Sequence, residues 1–223
     1  KTVDEIARVI ARTNREEIEQ LRDDPYLAWW TNVYNVLTLK VILDHYPLES
    51  IMDIEKPWDT KLPVAGGQLT LNEIEHDIMR KQNAPREARE AFLDPRLHFA
   101  VNCASIGCPD LQPEVFTGAN LDRLYDKGVR GFMDTPSKYR FEDGTFHISK
   151  LMDWYGDDFE IVDPASDEAI ANLRDNGVEQ AEKVAAVAKF FANYEERDEV
   201  AESLRSGDFS LQWLEYDWAL NGE

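Results

Sequence analysis

The stretch AWWTNVYNVLTLKVILDHY, residues 28–46, decides how the rest of the chain is read. Its apolar residues fall nearly all round a 3.6-residue repeat. A helix beginning near Tyr26 therefore has no polar face to give to water and belongs at the centre of a core. Pro47 ends it, because proline cannot continue the helical hydrogen-bond ladder. Two amides, Asn32 and Asn35, sit in this apolar setting. Buried amides need partners, so they either tie neighbouring backbone or line a site.

Working outward, residues 2–22 read as a polar amphipathic helix carried by Val3, Ile6, Ile10, Ile18 and Leu21. Residues 58–69 read as a short hairpin turning at Gly66-Gly67. Thr70 followed by Glu73 has the form of a capping box opening the helix LTLNEIEHDIMRK (69–81), with Leu71, Ile74 and Ile78 inward and Glu75 and His76 beside that stripe. The alternation in RLHFAVNC (96–103) predicts a strand, with His98, Ala100 and Asn102 on one face and Phe99, Val101 and Cys103 on the other. Gly107 and Pro109 make 104–110 a loop. A helix over 119–133, a hairpin KYRFEDGTFHIS (138–149) around Asp143-Gly144, a short helix ending near Gly156, helical patterns through 165–206 and a last strand SLQWLEYDW (210–218) complete the chain. Helices dominate and do not alternate with strands as in a βαβ chain. The expected fold is α+β: one helix-rich domain over residues 1–223 with a small, mainly antiparallel sheet.

The 223 residues carry 44 Asp and Glu against 24 Lys and Arg, a net charge of −20, with 43% hydrophobic residues. The apolar content suffices for a core, so the charge describes a solvated surface rather than disorder. A surface of this sign repels phosphate backbones and there is no compensating basic patch, which excludes a nucleic-acid partner. No run approaches the ~20 apolar residues of a membrane span. No calcium loop of the D-x-[DN]-x-[DN]-G type is present, and no cofactor motif is read. The acidic stretches 153–160 and 195–202 read as solvated faces.

The two cysteines, Cys103 and Cys108, both lie in HFAVNCASIGCPD (98–110). They could close a small disulfide loop, sit as buried small hydrophobes, or leave one as a nucleophile. The chain opens on Lys1 rather than Met, as a trimmed or processed chain would.

Five motifs then coincide in order: WWTNVYNVLTL (29–39), LTLNEIEHDIMR (69–80), DPRLHFAVNCASIGCPDL (94–111), DWYGDDF (153–159) and EYDWALN (215–221). Together they resemble the family called domain of unknown function 547, over residues 25 to 221, with HFAVNCASIGCP the most specific part. The resemblance implies kinship with papain-like or transglutaminase-like thiol enzymes. With the closely spaced cysteines it also points to a periplasmic or secreted protein.

The residues permit that chemistry. A thiol nucleophile needs a base, a group to orient the base, and N–H donors for an oxyanion. Cys103 precedes a loop of small residues and would be the nucleophile. His76 would be the base and Glu73 or Glu75 its orienter. His98 is the second candidate base, set by strand parity on the face opposite Cys103. Asn32, Asn35, Asn102 and Ser105 would line the pocket, and the reaction would be acyl transfer from a peptide or small-molecule substrate. Two other readings stand beside this one. The chain could be a non-enzymatic cell-envelope module with a Cys103–Cys108 disulfide, or it could hold a divalent metal on His76, His98 and a carboxylate.

Overall fold

A computed structural model describes residues 2–221. In chain order it contains α1 (Val3–Arg12), α2 (Arg15–Gln20), α3 (Asp23–His45), β1 (Leu62–Val64), β2 (Gly67–Leu69), α4 (Arg86–Glu90), α5 (Leu121–Met133), β3 (Tyr139–Glu142), β4 (Thr145–Ser149), α6 (Leu151–Val162), α7 (Asp167–Asp175), α8 (Ala181–Ala192), α9 (Asp198–Ser206) and β5 (Ser210–Leu214). Short 3-10 turns and one π-helical segment, Glu73–Met79, lie between them. The architecture is helix-rich α+β with two small sheets. It forms two compact units: one from residues up to 85, 96–128 and 217 onward, the other from residues 86–95 and 129–216.

The first unit is organised by α3, whose buried residues run from Leu27 to Ile42 on every side of the helix, as the unbroken apolar pattern requires. The helix begins at Asp23, three residues before the expected Tyr26. Asp23 and Asp24 favour the positive end of the helix dipole, and Pro25 in the first turn gives up an N–H that would have had no partner there. The polar N-terminal helix is two helices: the Asn14 side chain accepts from the Glu16 N–H and restarts the chain as α2. β1 and β2 pair in an antiparallel hairpin whose turn is Ala65-Gly66, one residue earlier than expected. Both turn residues have positive φ, 50° and 74°, as a two-residue hairpin turn demands.

The predicted strand over 96–103 is replaced by a 3-10 helix, Pro95–Phe99, and an irregular segment. Pro95 starts it, and the N–H groups of Ala100 and Val101 both return to Leu97 O at 3.0 and 3.1 Å. Short apolar runs do not distinguish strand from buried helical turn by alternation alone. The parity that set His98 opposite Cys103 is therefore void. The 3-10 segment is approached so closely by Gly128 that a Cβ there would collide with the Phe99 carbonyl.

In the second unit, α8 is the central helix, with Ala181, Val184–Ala188, Phe191 and Ala192 buried. The three-stranded sheet runs β3-β4-β5. β3 and β4 form the expected antiparallel hairpin around Asp143-Gly144, and β5 adds parallel to β4, pairing Ile148 with Trp213. α6 continues past Gly156 to Val162, and the Lys183 side chain lies so close against Gly156 that there is no room for a Cβ. Asp158, fully buried, pairs with Arg89 at 2.6 Å.

Candidate functional site

The capping box forms as read: the Glu73 N–H donates to Thr70 Oγ1 (3.0 Å) and the Thr70 N–H to Glu73 Oε2 (2.7 Å). Lys61 also binds the Glu73 carboxylate, at 2.5 Å, and with the Thr70 N–H holds it below the usual carboxylate range. Glu73 thus anchors the start of its helix.

The helix then widens. The Arg80 N–H reaches Glu75 O, an i→i−5 bond of 2.9 Å. This extra residue per turn rotates the following face, so Glu75, Met79 and Arg80 become buried while Ile78 is partly exposed. Glu75 has a side-chain exposure of only 6%, and its Oε1 accepts no hydrogen bond within the protein. His76, half-buried, lies 3.9 Å from that oxygen. Its Nδ1 is 2.8 Å from an Arg80 guanidinium nitrogen. Burial lowers the His76 pKa, with the Arg80 and His98 charges acting in the same direction against Glu75. His98 is buried at 2% exposure. The structure therefore groups Glu75, His76 and His98, and adds Arg80, which the sequence reading passed over. Its i, i+4 spacing from His76 was the available signal.

The amides and the cysteines build a second constellation around the loop. Asn35 Nδ2 donates to Ala100 O and its Oδ1 accepts from the Asn102 N–H, both at 2.9 Å. Asn102 Nδ2 spans the loop to Pro109 O (2.7 Å), and its Oδ1 receives the Ala104 N–H (2.7 Å), fixing Ala104 at φ 62°. Asn32 holds Phe116 on both sides, Nδ2 to Phe116 O and the Phe116 N–H to Oδ1. Each of these amides ties backbone, which for Asn32 and Asn35 is the plainer of the two roles the sequence allows.

Cys103 and Cys108 are joined in a disulfide with Cα atoms 6.2 Å apart, and there is no free cysteine among the described residues. Cys103 Sγ lies 3.2 Å from Ser105 Oγ, and the Cys103 N–H donates to Cys108 Sγ. The segment 217–221 straps this loop. The N–H groups of Ile106 and Gly107 donate to Ala219 O and Asp217 O, and Ser105 forms an antiparallel bridge with Leu220.

The family model described as "Protein of unknown function, DUF547" matches residues 18–133, just over half of the 223 residues. The chain belongs to the DUF547 family. The matched span holds α3, the π-helical segment, the 3-10 helix and the disulfide loop, which are the elements carrying every candidate residue above; α1 and the elements after Met133 lie outside it. Comparison with curated proteins and with solved structures returned no match. Among the described residues of this DUF547 member, no three His, Cys, Asp or Glu side chains cluster as a metal ion would require. No helix among them is long and apolar enough to cross a membrane.

Proposed function

We propose that this DUF547 chain is a non-enzymatic binding module of the cell envelope, with the Cys103–Cys108 disulfide fixing its recognition loop. One observation carries the reading: the N–H groups of residues 102, 103, 104, 106, 107 and 108 all donate within the protein. Acyl transfer needs N–H donors aimed at the place where the oxyanion will form, and a loop with six of its seven N–H groups engaged offers few such donors and supplies a rigid surface instead. Rigidity serves binding, since a preorganised loop loses little entropy when it meets its partner. The same segment offers exposed apolar side chains, with Ile106 at 45%, Leu111 at 43% and Val115 at 71% exposure. An oxidising compartment, periplasmic or extracellular, is where such a disulfide persists.

The test is acylation by an activated ester, p-nitrophenyl acetate, read by intact mass before and after reduction. The module predicts no adduct at Cys103 on the unreduced protein and, after reduction, acylation no faster than that of free cysteine at the same pH. Acylation of Cys103 well above that rate, lost in Cys103→Ser and in His76→Gln, would replace this reading with the thiol one.

That second reading, thiol acyl transfer by Cys103 after reduction, is favoured by one observation. Cys103 is half-exposed whereas Cys108 is buried at 3%, so the sulfur released toward solvent would be the expected nucleophile.

A further inference from the structure

The second compact unit contains an open cavity of about 400 Å³ beside the edge strand β5, lined by Trp213, Ser210, Asp153, Asn176, Glu179 and Gln180 among others. Its size is that of a small-ligand site. We propose that it binds a pyranose sugar through Trp213.

The lining selects the ligand by what it offers together. Trp213, half-exposed on the strand, supplies an indole on which the C–H face of a sugar ring can stack. Asn176 and Gln180 supply amide groups that both donate and accept. Asn176 makes one long bond, Nδ2 to Phe209 O at 3.4 Å, and Gln180 does not cap the helix it precedes. Asp153 and Glu179 supply acceptors.

No cationic side chain is among the described residues that line the cavity, and the lysine behind Asp153 is already used. Lys183, 9% exposed in its side chain, binds both Asp153 Oδ1 and Asp153 O at 2.8 Å. It thereby holds that carboxylate at the cavity wall, and a phosphate entering would face Asp153 and Glu179 rather than a lining cation. An ammonium would suit the acids and the indole but would leave the amide N–H groups unanswered. Hydroxyls answer both sets, because each donates and accepts, and a pyranose carries several round an apolar face. The turn that holds the amides is itself a fixed feature: Gly177 and Gln180 both have positive φ, 76° and 53°. A side chain kept in that conformation is strained unless it is glycine, a cost that recurs where a side chain is held for a ligand.

The experiment uses the full chain labelled at the tryptophan indole N–H groups, with the Trp213 signal assigned by Trp213→Phe. Glucose, mannose and N-acetylglucosamine are titrated to high millimolar concentration, and choline and inorganic phosphate are titrated alongside. The expected result is a saturable shift of the Trp213 signal with at least one sugar, lost in Trp213→Ala. Gln180→Gly removes the amide while relieving its φ, so it keeps the fold. It should weaken sugar binding about fivefold, the loss of one neutral hydrogen bond, with an unchanged or raised melting temperature. Saturation by choline or phosphate in place of sugar, no saturable shift with any of the three sugars, or sugar binding indifferent to Gln180→Gly would each overturn the proposal.

Discussion

Arg80 donates a 2.8 Å hydrogen bond to His76 Nδ1. A guanidinium has no acceptor, so Nδ1 must be the unprotonated nitrogen and the proton sits on Nε2. A triad base needs the reverse arrangement, with Nδ1–H given to a carboxylate and Nε2 bare toward the thiol. Nitrogen-15 spectra of the His76 ring should show the Nε2–H tautomer and a pKa below 6.5. Arg80→Met should raise that pKa, because the Arg80 charge is one of its depressing causes.

Burial of His76, with the Arg80 charge beside it, sets a pH dependence. The folded pKa of His76 lies below its unfolded value of 6.5, so on acidification the unfolded chain takes up the proton first. The stability this contributes is present above pH 6.5 and is lost as pH falls through the folded pKa. Urea midpoints measured across this range should decline toward acid, and His76→Gln should flatten the decline. A shallower slope of the same sign should persist from His147, whose pKa burial and Arg140 also lower.

Asn35→Ala should cost about 2–3 kcal/mol in urea unfolding, because it leaves the buried Ala100 carbonyl and Asn102 N–H without partners. If Asn35 served only a ligand, the substitution would leave stability within about 0.5 kcal/mol of the parent.

The disulfide closes a six-residue loop. Cys103→Ala with Cys108→Ala should lower stability by about 2 kcal/mol on the loop-entropy account. The unreduced native protein should take up no iodoacetamide.

Glu195 accepts from Tyr139 Oη at 2.8 Å and pairs with Arg197 at 2.8 Å. Arg197 is the larger cause that brings its pKa down to about 2 from 4.5. Its contribution is complete above pH 4.5 and is lost as pH falls toward 2. Glu195→Gln should therefore be less stable than the parent at neutral pH, by about 1–3 kcal/mol, and the two melting curves should converge near pH 2. A gap that stayed constant with pH would assign the effect to packing.

How much of this was legible in the chain depended on whether the signal was local. The all-round apolar run of α3, the Thr70–Glu73 capping box and the Asp143-Gly144 turn are each fixed by neighbours in sequence, and each formed. The 3-10 helix at Pro95–Phe99 was missed because five apolar-rich residues fit either period, and its hydrogen bonds are short-range ones that alternation does not encode. The inward turn of Glu75 was missed because helical spacing assumes 3.6 residues per turn, and the i→i−5 bond at Arg80 changes the face from there on. At the site, sequence reasoning names Glu75, His76, His98 and the amides but neither Arg80 nor the long-range hydrogen bonds that place them. Asn35 and Asn102 bond each other across 67 positions, and the strap from 217–221 onto the loop is long-range in the same way; no local pattern announces either.

The loop 102–108 is tied, with six of its seven N–H groups donating within the protein. Amide hydrogen exchange on the unreduced protein reads those N–H groups one by one. The account predicts that the amides of residues 102, 103, 104, 106, 107 and 108 exchange as slowly as those in the middle of α3. Exchange of these amides at the rate of an exposed loop would show donors open to a substrate, and would contradict it.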